Sequence, residues 1–340
     1  MSLHLRAIFL ATAALGTHQL ATAQVTQLES FAAPGGVSQL VYSAEGNRLV
    51  LRNASSAIKV IDLASKQVES TQMASARFID MDASANGRVL YAADYAGESV
   101  YGYALGQHNI HRLDMTTGQW TTATTASIAG HIETIDEQRF LLQSTDQWID
   151  FSVHQWDAAG PVKQVGNVAS SVYSGPLVYD ATHGRALHSE SGISSPDVTA
   201  FKLTGNNLSK QESTSSHGYL AYELVLASDD SAVYFGNRQI DPLDVTFVQR
   251  VFPETILAAN GQYAFSAKNY YNAKTGALVG SMGGVYSLYA FSGSNPDFWA
   301  FDASRGQLVH FAASVPEPST WMTLALGMLA IGCLSQRRKR

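Results

Sequence analysis

Cysteine is all but missing from this 340-residue chain: the single one, Cys333, lies in an apolar run near the C-terminus. The rest of the chain therefore has no disulfide, no thiol nucleophile and no cysteine-ligated metal, and core burial and strand pairing must hold it together. Charge is scarce too, at 15 % of residues, with 22 Lys and Arg against 28 Asp and Glu. Leaving out residues 1–23 and 315–340 gives 17 against 27. So acidic a balance, without clustered cations, argues against a nucleic-acid partner or an anionic membrane surface. No segment between residues 24 and 314 joins a helical period to end caps, which disfavours βα repeats. Several chemical signatures are also absent: His-Glu-x-x-His, a Gly-x-Ser-x-Gly elbow around Ser191, an EF-hand loop and a Gly-rich phosphate cradle, Gly283-Gly284 being an isolated pair.

What is present is clearest at the two ends. Residues 1–23 carry Arg6, an apolar stretch and then Ala21-Thr22-Ala23 before Gln24. This pattern reads as a secretory signal peptide cut after Ala23, with signal peptidase and the general secretion machinery as partners. At the other end, Val315-Pro316-Glu317-Pro318-Ser319-Thr320 is followed by an apolar run and then by Arg337-Arg338-Lys339-Arg340. Prolines on both sides of a glutamate cannot join a helix or a central strand, so this hexapeptide is expected to be an accessible linker. A helix over residues 319–335 would be about 25 Å long, slightly short of a hydrocarbon core of about 30 Å. The four terminal cations stop transfer on the cytoplasmic side.

This tail resembles the PEP-CTERM sorting signal, which exosortases recognise in Gram-negative bacteria that make extracellular polysaccharide. The motif falls on Pro316, Glu317 and Pro318, preceded by Val315. The resemblance implies a transient inner-membrane anchor, transpeptidase-type processing near the motif by an exosortase, and transfer to the cell surface or extracellular matrix. The expected organisation is a signal peptide over 1–23, a folded domain over 24–314 and the sorting signal over 315–340, with its membrane helix at 319–335.

Two local patterns recur between the ends. One is a strand, a tight turn and a second strand, as in Leu40–Leu51 and Ile79–Tyr91, with weaker copies from Val178, Val225 and Leu257. Glu45-Gly46, Asn86-Gly87 and His183-Gly184 are placed to supply the positive φ of a hairpin tip. The other is an apolar strand ending in Asp or a substitute before a polar turn. Asp62, Asp114, Asp157, Lys202, Asp241, Asn272 and Asp302 mark it. Asp and Asn can bond the backbone two residues on and fix the bend. Seven such units suit the four-stranded blades of a propeller. The middle region resembles bacterial seven-bladed β-propellers of the YVTN and WD type, although Trp156-Asp157 is the lone Trp-Asp pair. Six or eight blades, or a pair of β-sandwiches, stay compatible with the spacing. The expected class is all-β, a seven-bladed propeller whose first and last strands meet in or beside one blade.

Chemistry is harder to place. His108 and His111 have a zinc-like spacing but read as a surface loop entering a strand. His131, His154, His183, His188, His217 and His310 are scattered singly. Asp80 and Asp82 face one side of a strand, yet solvated or turn-bonding roles are preferred for them. Tyr91, Tyr95, Tyr101 and Tyr103 crowd one repeat, and residues 93–107 look like a long functional loop. Tyr286, Tyr289, Phe291, Phe298, Trp299 and Phe301 crowd the last and read as inter-sheet core. No catalytic residue, metal ligand or cofactor is assigned. The preferred reading is an exported binding or scaffold protein of the exopolysaccharide matrix or biofilm, with a polysaccharide or matrix protein as partner. The alternative is a propeller enzyme, such as a lactonase or glycan lyase, with a site on the channel face.

Overall fold

The computed structural model describes residues 24–314, apart from 54–55, 97–98, 101–102, 105–106, 127–129, 144–149, 171–174, 191–196, 215–222 and 294–295. Residues 1–23, expected as a signal peptide with Ala21 and Ala23 at its cleavage site, and the tail with Val315, Pro316, Glu317, Pro318 and Arg337 to Arg340, lie outside them. Among the described residues no helix is long and apolar enough to cross a membrane.

The strands form seven antiparallel sheets arranged as the blades of a propeller. Blade 1 runs Gln39–Ser43, Arg48–Arg52, Ala57–Asp62 and Gln67–Met73, from the axis outwards. The innermost strands of blades 2 to 7 are Arg77–Ala83, Ile132–Thr134, Leu177–Asp180, Leu224–Leu226, Ala258–Ala259 and Tyr286–Phe291. Each touches the next, and Tyr286–Phe291 returns to Gln39–Ser43, so the ring is closed. Blade 7 takes its outermost strand, Gln24–Ala32, from the other end of the chain, and this strand pairs with Gln307–Ser314. Ala33 N–H donates to Gly306 O at 2.8 Å, and Glu29 lies beside His310 at 3.6 Å. Four residues forward in one strand match four back in the other, as an antiparallel register requires.

Apolar side chains fill the gaps between neighbouring blades. Val50, Ile58 and Val60 of blade 1 meet Phe78, Met81 and Leu90 of blade 2. Comparable clusters fill the next four gaps, and Leu40, Leu49, Trp299 and Leu308 fill the gap between blades 7 and 1. Each fully buried side chain of this kind contributes about 1.5–3 kcal/mol. The aromatic crowd of the last repeat is core, as expected. Phe291, Phe298 and Phe311 stack in series, with Phe291 and Phe298 at 4.9 Å, and Phe265 packs tilted against Phe291 at 5.7 Å.

The turn chemistry follows the sequence closely. Asp62, Asp114, Asp157, Asp241, Asn272 and Asp302 each accept a backbone N–H two or three residues on, at 2.7–3.0 Å. Gly118 and Gly276 close these bends at φ 75° and 72°. Two details differ. Asp302 marks the turn after the second strand of its blade, not the third, because the fourth strand comes from the N-terminal end. In Glu45-Gly46-Asn47 the positive φ falls on Asn47, at 50°. Gly46 is needed for space instead, since a Cβ there would lie 2.1 Å from Met115 O.

His108 and His111 do not lie in a surface loop. Both are buried on the third strand of blade 2, Gln107–Asp114. His111 Nε2 bonds Asp94 Oδ2 at 2.6 Å, and its Nδ1 faces Thr122 Oγ1 and Gln72 Nε2. Gln72 belongs to blade 1, so this polar chain pins two blades together. Within 93–107, Ala93 to Ala96 and Gln107 belong to paired strands of blade 2, and Ser99–Val100 pairs with Tyr103–Ala104 as a separate two-stranded sheet.

Candidate functional site: the central channel

The seven inner strands leave a channel of about 410 Å³ along the axis. A residue that points away from the blade-to-blade core on an inner strand must point into this space, because side chains alternate along a strand. On blade 2, Phe78 and Met81 face the core while Asp80 and Asp82 face the axis. An irregularity between Phe78 and Asp80 resets the alternation. On blade 3, Ile132 faces the core and His131 and Glu133 flank it.

Asp80 is held on every side. Its Oδ1 accepts Gln39 Nε2 at 2.8 Å, and its Oδ2 accepts the Ile132 N–H at 3.2 Å and faces His131 Nδ1 at 3.3 Å. Gln39 is in turn fixed by Arg52 Nε at 2.9 Å. Asp82 Oδ2 accepts the Thr134 N–H at 2.7 Å, so both carboxylates are caught by the backbone of the next blade. They are therefore not turn carboxylates but bridge one blade to the next. The sequence places them on one face, but these partners are 41 to 52 residues away.

Asp80, Asp82, His131 and Glu133 are all half-buried. Each meets channel water along the axis and is ringed by protein elsewhere. Burial pushes the Asp82 carboxyl up to about 7; the Thr134 N–H opposes the shift and the Asp80 charge adds to it. Glu133 is raised well above its ordinary value, again by burial first and then by the Asp82 and Asp80 charges. Burial also opposes ionisation of Asp80, but His131, Gln39 and the Ile132 N–H outweigh it and hold this carboxyl low. Burial likewise opposes the His131 imidazolium, yet the bond and charge of Asp80, with Glu223, raise its pKa overall. The channel thus has an ion pair, Asp80 with His131, beside two carboxyls that change charge far above the usual carboxylate range. Val225, Leu257, Ala258 and Ala290 make the far wall apolar.

The other histidines go elsewhere. His154 stacks on Phe140 at 5.9 Å, and burial lowers its pKa to about 4. His188 stacks on Phe151, His183 bonds Asp180 at 2.7 Å, and His310 lies on Trp299 at 4.6 Å. His217 lies outside the described residues. Among the described residues, no group of three or more His, Cys, Asp or Glu side chains is arranged to hold a metal ion. Glu133 and Gln39 escaped the sequence reading. An isolated carboxylate or amide in a short strand carries no signal until the ring closes around it.

Comparison with known proteins bears on fold and address. Among solved structures the chain resembles the β-propeller domain of Cps50 (Swd1) from Myceliophteria thermophila, at a TM-score of 0.61 and 13 % identity, covering 86 % of this chain and 100 % of that one. At that identity the likeness shows the fold alone. As many as 1137 solved chains resemble this one, so the architecture is too widely shared to select an activity. No curated protein matches the chain. Residues 314–339 match the PEP-CTERM protein-sorting motif. The chain is thus a seven-bladed β-propeller carrying a PEP-CTERM sorting motif, which implies an exported, membrane-transiting protein of a Gram-negative bacterium, sorted by an exosortase.

Proposed function

We propose that the protein is an extracellular binding or scaffold module of the exopolysaccharide matrix. Signal peptidase cuts after Ala23, residues 319–335 and Arg337 to Arg340 pause the chain in the inner membrane, and an exosortase processes it at Val315-Pro316-Glu317-Pro318. The domain of residues 24–314 then remains at the cell surface or in the matrix. The sorting motif supports the route, and the channel carries the binding role. One wall presents Asp82 and Glu133, and Val225, Leu257 and Ala258 give the facing wall an apolar stretch. Such a mouth sets carboxyl hydrogen-bonding groups beside an apolar wall, which suits a sugar of the polysaccharide or a polar segment of a matrix protein.

The test is retention in the washed matrix fraction of the native host. Wild type should be retained, and the double variant Asp82→Asn, Glu133→Gln should leak into the medium. A wild-type protein found free in the medium overturns the reading. One observation favours a second reading. A carboxyl with a pKa of about 7 can exchange a proton at neutral pH, as a general acid or base must. Turnover of a lactone or a glycan that Asp82→Asn abolishes would identify a channel-face enzyme.

A further inference from the structure

On the face that carries the inner hairpin tips, blades 2 and 3 leave two hollows of about 500 and 560 Å³, away from the central channel. They share Glu137, Gln138 and Gln155 and so form one continuous groove, from Asn86 near the axis to Lys163 at the rim. Each part lies within the range of about 300–1,000 Å³ usual for ligand sites, and the two in line suit an extended chain better than a compact molecule. We infer that this groove binds an acidic polysaccharide, a polymer of sugars bearing carboxylates. The inference rests on the extracellular binding role proposed above and names its ligand class.

Three observations carry it. The first is the aromatic wall. Trp156 is half-buried, and its ring packs against the core of the blade 2–3 gap, tilted against Tyr91 at 5.9 Å; its backbone N–H donates to Gln138 O and the Tyr91 hydroxyl donates to Glu137 O, both at 2.8 Å. An indole fixed this way offers a flat apolar surface to the C–H face of a sugar ring.

The second is open hydrogen-bonding capacity. Gln138 and Gln155 are exposed, and neither side-chain amide bonds elsewhere in the described protein. A primary amide both donates and accepts, which matches vicinal hydroxyls.

The third is charge. The carboxylates along the groove are already matched: Glu137 takes Asn86 Nδ2 at 2.8 Å and faces Arg88 Nη1 at 3.8 Å, Asp136 takes Arg139 Nε at 2.8 Å, and Asp157 takes Lys163 Nζ at 3.1 Å. Of the three cations in the groove, Arg139 and Lys163 are thereby neutralised. Arg112 is not. Its guanidinium interacts with the Tyr91 hydroxyl, no carboxylate among the described residues forms an ion pair with it, and its Nε is buried without an acceptor there. A partly buried guanidinium lacking a counter-ion selects for a carboxylate, which it can bind through two parallel N–H groups. A nucleic-acid strand would need a row of open cations along its phosphates, and this groove has one.

The experiment is calorimetric titration of the full-length protein in detergent with a galacturonate hexamer and, separately, with neutral cellohexaose. Wild type should bind the uronate hexamer at least about tenfold more tightly than the neutral one, the effect of a single charged hydrogen-bonded pair. Arg112→Gln should abolish that difference. Gln155→Ala, an exposed change that leaves the core intact, should weaken both sugars a few-fold. Melting curves of both variants check that they fold. No uronate binding by wild type, equal binding of both hexamers, or an unchanged uronate preference in Arg112→Gln overturns the inference. Matrix retention separates the two levels. Retention without uronate binding removes the groove and keeps the binding role, whereas uronate binding without retention does the reverse.

Discussion

Deletion of residues 24–34 should lower the melting temperature by roughly 10 °C or more, although it removes only one outer strand and its linker. The reason is topological. Gln24–Ala32 is the fourth strand of the blade that also holds Gln307–Ser314, so it joins the beginning of the domain to its end. Phe31 packs edge-on against Trp299 at 5.3 Å, and Phe31 and Ala33 cover the cluster around Leu49 and Leu308. Glu29 adds a bond to Lys66 of blade 1, which clamps the seam from outside. Removing the strand uncovers these side chains and leaves the edge of Gln307–Ser314 unpaired. Losing the Phe31 contact and a sheet's worth of pairing costs several kcal/mol out of a margin of about 5–15 kcal/mol. At about 2–4 °C per kcal/mol for a domain of this size, the shift is easily seen by scanning calorimetry. An unchanged melting temperature would mean that the ring does not depend on this seam.

Asp82→Asn should stabilise the protein at pH 8 by about 2–4 kcal/mol while changing little at pH 4. With a folded-state pKa of about 7 against an ordinary 3.8, Asp82 keeps its proton in the folded protein where the unfolded chain has lost it. Between those two values the folded state binds more protons, so stability falls as pH rises, and it levels off above about 7. Glu133, also raised, acts in the same direction. His131 is raised as well, so the stability from its pair with Asp80 is complete below its unfolded value and is lost as pH rises through its folded one. Asp80 is held low and works from the other side: its contribution is present above the ordinary carboxylate range and is lost as pH falls through its folded value. Stability should therefore peak between about pH 4 and 6. Channel water reaches these groups, which keeps the expected gain near or below the full value of the shift. Denaturant melts of wild type and variant at pH 5 and pH 8 measure it. Wild type more stable at pH 8 than at pH 5, or two parallel profiles, would contradict the assignment.

The blades were legible in the sequence because their signals are local. An Asp that bonds two residues on, as at Asp114, and a glycine at positive φ, as at Gly118, act within a single turn. The aromatic core of the last repeat was legible because so many large apolar side chains cannot all be exposed. The site was not. Asp80 meets Gln39 and Ile132 only after three blades are placed beside one another, and that Arg112 has Tyr91 and no carboxylate beside it among the described residues is seen only in the folded groove. His108 and His111 mislead for a related reason. Their spacing says nothing about Asp94 and Gln72, which bury His111 by bonding it. The short last step, from Asn272 to Asp302, was visible, but its cause lay at the other end of the domain, in the strand Gln24–Ala32 that closes the ring.

The intact mass of the protein in the surface or secreted fraction of the native host tests the account most directly. The expected species begins at Gln24 and ends near Val315-Pro316-Glu317-Pro318, without Arg337 to Arg340. Glu317→Ala should leave the full-length chain in the inner membrane. A surface form that still ends in Arg340 would contradict sorting by an exosortase and leave a plain tail anchor.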